Sequence, residues 1–323
     1  MEVVASLTGF FPRPEALVAA TRDLDRGRAT PEAVEALTRS TEREIIGLER
    51  RNGLAPLTGG YLRWQDIFRP LAERWGGFTV GPVTRWFETN TFFRQPVLHH
   101  PPERAPGALA DVFPGPAAGL GPAEAQILLP GPYTLAGVLE NRSGETHEAL
   151  VHRLGRLLAE EIAELRGRGY RSFLLEEPLL VVRPPRGPAA ESVLAAYRAI
   201  GGGANGGDTI VWTFFGDAAP VFPLLGRLPV SVIGIDLSET ELARLPVPDA
   251  PIGIGLGCLD PRTTLREDPE QIRALAQEAR ERLRPPRLWL GPGGPLDLLP
   301  YEAARRKLEI LPLARSMVDG GPR

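Results

Sequence analysis

Lysine and cysteine are nearly absent from this chain, and long apolar runs are missing. Of its 37 basic residues only Lys307 is a lysine, and 40 acids bring the net charge to −3. Because there is no basic block, we expect no nucleic-acid partner. No run of about 18 apolar residues exists, so the sequence predicts no contact with a membrane. The first residues, "MEVVASLTG", lack the charged start of a signal peptide, which favours a cytoplasmic protein.

Residues that bind soft metal ions are also scarce. The single thiol, Cys258, excludes an internal disulfide and a cysteine-rich metal site. Two of the histidines, His99 and His100, are adjacent in the sequence, and the other two, His147 and His152, are five residues apart on one predicted helix. A helical metal pair has the i, i+4 spacing instead. We therefore predict no metal site, and we expect Cys258 to be buried and inert.

Short apolar runs alternate with amphipathic segments along the chain. The helical segments include residues 30–53, 146–169 and 268–284, and the first of these opens with a threonine cap followed by proline. Apolar strands separated by helices predict a parallel sheet covered on both faces. The strand-like runs are "VVASLTG" (3–9), "AQILLPG" (125–131), "YRSFLLEE" (170–177), "TIVWTFF" (209–215), "VSVIGIDL" (230–237), "APIGIGLG" (250–257) and "RLWLGPGG" (287–294).

The number of these units predicts the fold class. Seven or eight of them in 323 residues suit an α/β fold of the (β/α)8 TIM-barrel type, with residues 1–323 as a single domain. We interpret the Pro-rich stretch 96–124 as an insertion, either a lid or a dimer arm. Rossmann and P-loop folds are not favoured. No GxGxxG follows the first strand, and "GGGANGG" (201–207) is a loop without a phosphate-binding lysine.

The run "SFLLEEPLL" (172–180) ends a buried strand in two adjacent acids, Glu176 and Glu177. In a barrel, the C-terminal ends of the strands carry the chemistry. Neighbouring strand residues point to opposite sides, so one acid should face the barrel mouth and the other the helix layer. Each needs a cation or a donor, because an unpaired buried carboxylate is costly. We predict that at least one contacts a ligand; the alternative is a structural acceptor near the rim.

The order of several motifs carries a resemblance. They are "GFFPRP" (9–14), "GYLRWQDIF" (60–68), "RWFETN" (85–90), "LPGPYTLA" (129–136), "LLEEPLL" (174–180), "TFFGD" (213–217), "GIGLGCLDPRTTLRED" (253–268) and "GPGGPLDLLPYEAARRKLEIL" (291–311). In this order the chain resembles cobalamin-independent methionine synthase, whose fold is a TIM barrel of the type shared with uroporphyrinogen decarboxylase. That family has two homologous barrels per chain, and this chain has the length of one. "RWFETN" and "TFFGD" are more similar to the N-terminal barrel, which holds no metal.

The resemblance also identifies departures at the family's zinc site. The catalytic barrel holds zinc through a His-x-Cys pair, a glutamate and a late cysteine, and the zinc-bound thiolate is the nucleophile. In this sequence the His-x-Cys positions fall in Thr213–Phe215, the glutamate position is Asp236, and the late cysteine is Gly294. One potential ligand of four remains. The comparison therefore implies a zinc-free site.

The amino-acid site of the family is altered as well. The family glutamate that holds the homocysteine ammonium corresponds to Tyr61 in "GYLR", and the serine of its Gly-Ser-Phe corresponds to Phe10. The amine-binding aspartate of its Asp-Glu-Pro corresponds to Glu176, which keeps the carboxylate on a side chain one carbon longer. The resemblance thus implies a related site with a different acceptor.

We single out a set of polar and aromatic residues near strand ends as ligand-binding candidates. The guanidinium forks of Arg13 and Arg63 could clamp a carboxylate such as those of a folate tail. Trp86 could stack on a pterin while Glu88 and Asn90 read its edge, although packing is an equal alternative for Trp86. The complete set of substrate- or folate-binding candidates is Arg13, Tyr61, Arg63, Trp86, Glu88, Asn90, Tyr133, Glu177, Thr213 and Asp217.

Three functions follow from these interpretations. The first is a zinc-free methyltransferase that moves a methyl or other one-carbon group from a reduced folate (5-methyltetrahydrofolate) or a corrinoid to a small-molecule acceptor, with Glu176 or Asp236 as the catalytic base. The second is a non-catalytic folate-binding or docking subunit that works with a separate zinc-bearing catalytic barrel. The third is methionine synthesis with an unusual metal site. Acids and arginines in the mouth would favour the first function, and an exposed apolar patch there the second.

Overall fold

The structure is a computed structural model that describes residues 2–113, 115, 118–201 and 207–319. The strands are β1 (Glu2–Ala5), β2 (Gly76–Arg85), β3 (Phe92–Glu103), β4 (Gln126–Pro130), β5 (Glu140–Asn141), β6 (Ser172–Glu176), β7 (Asp208–Thr213), β8 (Val232–Asp236), β9 (Gly253–Leu259) and β10 (Arg287–Pro292). Most of the glycine-rich stretch predicted as a loop at 201–207 lies outside the described residues.

Helices follow most strands of the sheet. The α-helices are α1 (Glu15–Asp25), α2 (Pro31–Arg51), α3 (Arg69–Arg74), α4 (Pro132–Val138), α5 (His147–Gly167), α6 (Pro178–Val182), α7 (Pro188–Ile200), α8 (Phe222–Leu225), α9 (Pro269–Leu283), α10 (Tyr301–Leu308) and α11 (Ile310–Asp319). Short 3-10 helices lie at Gly59–Tyr61, Leu242–Arg244 and Leu296–Leu298. Capping residues explain where two of the α-helices begin. At the start of α2 the hydroxyl of Thr30 accepts the N–H of Ala33, and at the start of α9 the carboxylate of Asp268 accepts the N–H of Glu270.

One parallel sheet contains all seven of the strand-like runs of the sequence. Its order is β1-β10-β9-β8-β7-β6-β4. The last residue of β6, Glu176, pairs with Trp212 of β7, so the C-terminal ends of these strands are level. Strands β4, β6, β8 and β9 are buried along their whole length, as in a parallel sheet covered on both faces. The predicted alternation of strands and helices is confirmed.

The two edge strands of this sheet are linked by the segment that follows α2. The backbone N–H of Ala55 donates to the carbonyl of Ala5 in β1 at 2.9 Å. The N–H of Leu57 donates to the carbonyl of Glu124, and the N–H of Gln126 in β4 donates to the carbonyl of Leu57, each at 2.8 Å. The sheet is therefore curled so that its edges approach, and this short segment lies between them.

Strands β2 and β3 form a long hairpin that begins at Gly76, before the Pro-rich stretch 96–124. The two strands pair antiparallel, and β3 also pairs with β5. The stretch 96–124, expected to be an insertion, begins inside β3, and its later described residues are mostly turns. Arg104, with 8% of its side chain exposed, fixes this region to α5 by pairing with Glu161 at 3.0 Å and Glu164 at 2.5 Å. The end of β3 is thereby held against α5.

Trp212 of β7 fills the interior of the curled sheet. Its side chain is fully buried and lies across β8 and β9. A Cβ atom added at Gly234 would lie 2.0 Å from the indole, and one at Gly255 would lie 2.4 Å from it. Both strands therefore need glycine at this level, because the ring approaches their backbones too closely for any side chain.

We expect Gly234→Ala to lower the free energy of unfolding by about 2 kcal/mol or more, because the indole has no room to move in a packed core. Urea denaturation of the variant measures this. Gly167→Ala is the matched control, because nothing lies within 4 Å of the Cβ it would add on α5. That control should be neutral or slightly stabilising. Equal effects at the two positions would contradict this account of the core.

Candidate functional site

Two adjoining spaces lie at the C-terminal ends of the strands, beneath the tip of the β2–β3 hairpin. Thr91 and Asp297 line both of them. The outer cavity has a volume of about 650 Å³, and its other walls include Phe87, Glu88, Asn90, Phe215, Glu239 and Arg262. The inner chamber has a volume of about 50 Å³, and its other walls include Phe10, Phe68, Trp86, Phe93, Glu176 and Pro295.

A larger groove of about 960 Å³ lies at the opposite ends of the strands. Glu2, Asp208 and Arg287, the first residues of β1, β7 and β10, line it. Arg287 is occupied there by ion pairs to the other two, at 2.7 and 2.6 Å. Because barrel chemistry is carried at the C-terminal strand ends, we assign the candidate site to the mouth and not to this groove.

Glu176 points into the inner chamber. It is 2% exposed, and its Oε1 atom has no hydrogen-bond partner among the described residues. Burial raises its pKa well above the usual value, and the nearby charge of Asp297 raises it further. A buried carboxyl group that lines a cavity and has an unpaired oxygen is suited to accept a hydrogen bond or to balance a positive charge.

Glu177 points the other way, as the alternation of strand residues predicts. Its carboxylate accepts the backbone N–H groups of Tyr133 at 3.1 Å and Thr134 at 2.8 Å, and the hydroxyl of Tyr197 at 3.0 Å. Complete burial raises its pKa to about 7 in spite of these donors. This side chain therefore joins the end of β6 to α4 and α7, and it does not line either space of the mouth.

Asp297 is the residue of this site that the sequence did not bring to attention. It lies in the short 3-10 helix after β10, with its surface open to the mouth. It lines the outer cavity, the inner chamber and a third cavity of about 310 Å³ beside Arg13. Its enclosure by the surrounding protein raises its pKa to about 6, and Arg13 opposes this effect. Its place just after a strand end was the signal available in "GPGGPLDLL".

The other predicted base, Asp236, is occupied by backbone donors. Its oxygens accept the N–H of Ser238 at 2.9 Å and the N–H of Phe215 at 3.4 Å. Burial raises its pKa above the usual value. Thr213 next to it donates its hydroxyl to the carbonyl of Gly234 at 2.9 Å. Both side chains hold the strand ends of β7 and β8 in place.

The positions that correspond to the family's zinc ligands do converge, but aromatic rings fill the space. A Cβ atom at Gly294 would lie 3.3 Å from the ring of Phe214, and one at Gly293 would lie 2.7 Å from Asp236. Within the described residues, no three His, Cys, Asp or Glu side chains are grouped to hold a metal ion. Zinc sites need three or four such ligands, so the residues present do not fit zinc.

Cys258 does not provide a further metal ligand here. It is buried, and its thiol lies 3.6 Å from the carbonyl oxygen of Gly291. Burial raises the pKa of the thiol to about 12. Because the thiolate and not the thiol is the reactive and metal-binding form, this side chain behaves as a small apolar group.

Several predicted ligand-binding side chains are engaged within the protein. Arg13 donates to the carbonyls of Leu62 at 2.9 Å and Trp64 at 2.5 Å. Arg63 forms a salt bridge of 2.8 Å with Glu42 on α2. These two guanidinium groups line a shallow groove outside the mouth, so their donors are largely committed before any ligand binds.

The tyrosines and Asp217 are similarly engaged. The hydroxyl of Tyr61 donates to the carbonyl of Gln126 at 2.6 Å and accepts the N–H of Leu128 at 2.7 Å. The hydroxyl of Tyr133 donates to the carbonyl of Arg183 at 2.8 Å. Asp217 pairs with Arg244 at 2.7 Å. The hydrogen-bond capacity of each group is used to fix loops around the sheet.

The hairpin tip brings Trp86, Glu88 and Asn90, the three candidates in "RWFETN", to the mouth, but they line different spaces. Trp86 packs edge to face on Phe68, with 5.3 Å between ring centroids, and lines the inner chamber. Glu88 and Asn90 line the outer cavity. Opposite them, Arg262 forms an ion pair with Glu239 and a second one with Asp260. The outer cavity thus combines charged groups with aromatic walls.

Two rings meet across the outer cavity in unusual backbone conformations. Phe87 of the hairpin has φ 49° and Phe215 after β7 has φ 68°, values uncommon for residues other than glycine. Their ring centroids are 5.3 Å apart in an edge-to-face arrangement. Strain of this kind persists where the surroundings fix it, and it concentrates at ligand sites.

The family model described as "Cobalamin-independent synthase, N-terminal domain" matches residues 78–284. The chain belongs to the cobalamin-independent methionine synthase family. The match to the N-terminal domain agrees with the resemblance of "RWFETN" and "TFFGD" to that barrel. The predicted family membership is therefore confirmed.

Relatives within this family include proteins of similar length and longer ones. A methionine synthase of Sulfurisphaera tokodaii is 24% identical over 307 residues, which cover 94% of this chain and 88% of the relative. A 5-methyltetrahydropteroyltriglutamate–homocysteine methyltransferase of a Synechococcus species is 26% identical over 258 residues, which cover 78% of this chain and 33% of the relative. The chain therefore corresponds to almost all of the first relative and to about a third of the second.

Solved structures of the family share the fold. A B12-independent methionine synthase from Shewanella matches with a TM-score of 0.74 and 16% identity, covering 98% of this chain and 97% of its own. A putative one from Listeria monocytogenes matches with a TM-score of 0.75 and 17% identity, covering 99% of both chains. The curled parallel sheet is thus the fold of this methionine synthase family. No helix in the described parts of the chain is long and apolar enough to cross a membrane.

We expect Glu177→Ala to lower the free energy of unfolding by about 3 kcal/mol, because two N–H groups and a buried hydroxyl lose their acceptor. Glu177→Gln keeps one acceptor oxygen and should cost less. Urea denaturation of both variants checks this. An alanine at the exposed Glu281 of α9 is the control and should change stability by less than about 0.5 kcal/mol. A loss at Glu177 no larger than the control would refute the structural role.

The pKa values in the mouth predict that stability rises on acidification. Glu176 and Asp297 have raised pKa values in the folded state, so between about pH 4 and pH 6 the folded chain binds more protons than the unfolded chain. Their contribution to stability is therefore present at low pH and lost as pH rises through the folded pKa values. In urea denaturation at pH 5 and pH 8, Glu176→Gln with Asp297→Asn should reduce this difference. An unchanged difference would contradict the assignment.

Proposed function

We propose that this chain is a zinc-free methyltransferase of the methionine synthase family. It would move a methyl or other one-carbon group from a reduced folate in the outer cavity to a small-molecule acceptor held at the inner chamber. The observation that carries this proposal is the buried carboxyl group of Glu176, which lines the inner chamber and whose Oε1 atom has no hydrogen-bond partner among the described residues. Glu177 next to it accepts three hydrogen bonds instead.

The outer cavity has the size and chemistry for the donor. Its volume of about 650 Å³ lies within the range of small-molecule sites. Phe87 and Phe215 offer rings against which a pterin can pack. Glu88 and Asn90 supply acceptors and a donor for the hydrogen-bonding edge of a pterin. The name of the Synechococcus relative includes methyltetrahydropteroyltriglutamate, which is the class of donor proposed here.

The reaction can proceed without a metal if a carboxylate removes the proton of the acceptor. The lone pair of the acceptor attacks the methyl carbon, and the electron pair of the breaking carbon–nitrogen bond returns to the folate nitrogen, which takes up a proton. The acceptor's own proton passes to Glu176. Asp236 is the weaker candidate for the base, because both of its oxygens accept backbone N–H groups. A corrinoid donor would use the same acceptor chemistry.

A non-catalytic, folate-holding subunit is the second candidate function. It is favoured by the match to the N-terminal domain of the family and by apolar side chains on the hairpin. Val83 is 56% exposed and Phe92 is 58% exposed, and such groups could contact a separate zinc-bearing barrel. This function predicts folate binding and no methyl transfer by the isolated chain.

We also propose that the sheet is a complete (β/α)8 barrel and that the chain forms one domain. Support comes from the backbone hydrogen bonds of Ala55 and Leu57, which link the edge strands β1 and β4. In this proposal the segment around them takes the place of an eighth strand. Closure would hold the C-terminal strand ends in a ring around the mouth.

Calorimetric titration with 5-methyltetrahydrofolate, combined with metal analysis of the purified chain, tests the proposed function. We expect folate binding that does not depend on added zinc or homocysteine, and substoichiometric zinc. Asn90→Ala should weaken folate binding about tenfold, the effect of one lost hydrogen bond. Glu281→Gln, on the outer surface of α9, should leave it unchanged.

Each other outcome has a defined meaning. Stoichiometric zinc would overturn the zinc-free reading and restore methionine synthesis. Folate binding without methyl transfer, together with recovery of a zinc-bearing barrel as partner, would support the subunit. Absence of folate binding would overturn the folate donor, and methyl transfer from methylcobalamin would then assign a corrinoid donor.

A further inference from the structure

The inner chamber has aromatic walls on several sides. Rings of Phe10, Phe68, Trp86 and Phe93 line it. The centroid of Trp86 lies 5.3 Å from that of Phe68 and 5.5 Å from that of Phe93, in edge-to-face contacts that fix the indole. Aromatic faces carry partial negative charge and attract cations, with tryptophan the most effective. The chamber is thus suited to a positively charged group with an apolar surface.

Acidic side chains also line the chamber. Glu176 is one of them, and its Oε1 atom has no hydrogen-bond partner among the described residues; Asp297 lines both the chamber and the outer cavity. A third acid, Asp66, has both oxygens bonded to backbone N–H groups at 2.8–3.0 Å. No cationic side chain is among the described residues that line this space. The positive charge of Arg13 lowers the pKa of Asp297. The side-chain donors of Arg13, however, are bonded to backbone carbonyls.

We propose that the inner chamber binds a methyl-substituted ammonium group, a nitrogen cation that carries two or three methyl groups. The carboxylate of Glu176 accepts its remaining N–H or balances its charge, and the aromatic rings contact the methyl groups. The inference rests on the proposed function, because a methylated nitrogen is the group that a methyltransferase site would bind as substrate or product. To the proposed function, the inference adds the chemical class of the methyl acceptor.

The size of the chamber supports this class. One water molecule needs roughly 10–15 Å³ of such a cavity, so a volume of about 50 Å³ accommodates about four groups of that size. A nitrogen with its methyl groups meets this limit, whereas a pterin or a whole amino acid does not. The rest of the ligand would therefore lie in the outer cavity, past Thr91 and Asp297.

The balance of donors and acceptors distinguishes a methylated nitrogen from a bare ammonium. A primary ammonium carries three N–H donors, each of which needs an acceptor when it is buried. The chamber offers the carboxyl groups of Glu176 and Asp297, because its other polar side chains, Gln65, Asp66 and Thr91, are already hydrogen-bonded within the protein. A nitrogen that carries the rest of the ligand and two or three methyl groups keeps at most one N–H donor, and the methyl groups take the place of the others against the rings.

Calorimetric titration of the intact chain at pH 8 with trimethylammonium and tetramethylammonium chloride tests this inference. Ammonium chloride controls for charge, and the neutral tert-butanol controls for size. We expect the methylated cations to bind at least about tenfold more tightly than either control. Glu176→Gln and Trp86→Leu should each weaken that binding about tenfold, as expected for the loss of a charge or a cation–π contact. Glu15→Gln, on the exposed start of α1, is the matched control and should leave the affinity within about twofold.

Three results would overturn the inference. Equal binding of tert-butanol would make the chamber a neutral apolar pocket. Tighter binding of ammonium would assign the chamber to a primary amine. If Glu15→Gln weakened cation binding as much as Glu176→Gln does, the binding would be due to general surface charge. The ligand series on the unmodified chain decides the question even if a variant fails to fold.

The folate titration keeps this inference separate from the proposed function. Folate binding with no preference for methylated cations overturns only the acceptor class. A preference for methylated cations without folate binding overturns only the folate donor and leaves the chamber assignment in place.

Discussion

Adjacent strand residues point in opposite directions, and at the end of β6 this geometry gives two glutamates two different environments. Glu177 lies under the first turn of α4, where two N–H groups and the hydroxyl of Tyr197 saturate it. Glu176 enters the mouth and keeps one oxygen free. The structural acid fixes the strand end, so the second acid can remain unsatisfied at a defined position. The candidate site depends on this division of roles.

Aromatic packing is a main organising feature of the mouth. Phe214 lies against Gly294 at the positions that correspond to the zinc ligands, and Phe215 continues across to Phe87 of the hairpin. Other rings, among them Phe10 and Trp86, line the inner chamber with Glu176. Burial of Glu176 is the main reason for its raised pKa. Packing and acid–base chemistry are therefore linked in this mouth.

The fold was more predictable than the site. All seven predicted sheet strands exist, because apolar runs of this length between helices have few other arrangements. The sequence did not reveal the β2–β3 hairpin, since the proline content drew attention to residues 96–124, which begin inside β3, and not to the start of β2 at Gly76. Candidates such as Arg63 were chosen by residue type near a strand end, and residue type does not reveal that Glu42 on α2 lies within 2.8 Å. Asp297 was overlooked because its importance arises only where three cavities meet.

The sequence by itself determined the alternation of strands and helices, the family, and the presence of two acids at one strand end. These are local properties, set by residue periodicity and by motifs in a fixed order. The tertiary structure alone decided which acid is satisfied, which rings surround Glu176 and which arginines are occupied. Hydrogen-bond satisfaction and burial depend on distances between residues far apart in the chain, such as Glu176 and Asp297, and no local pattern encodes those distances.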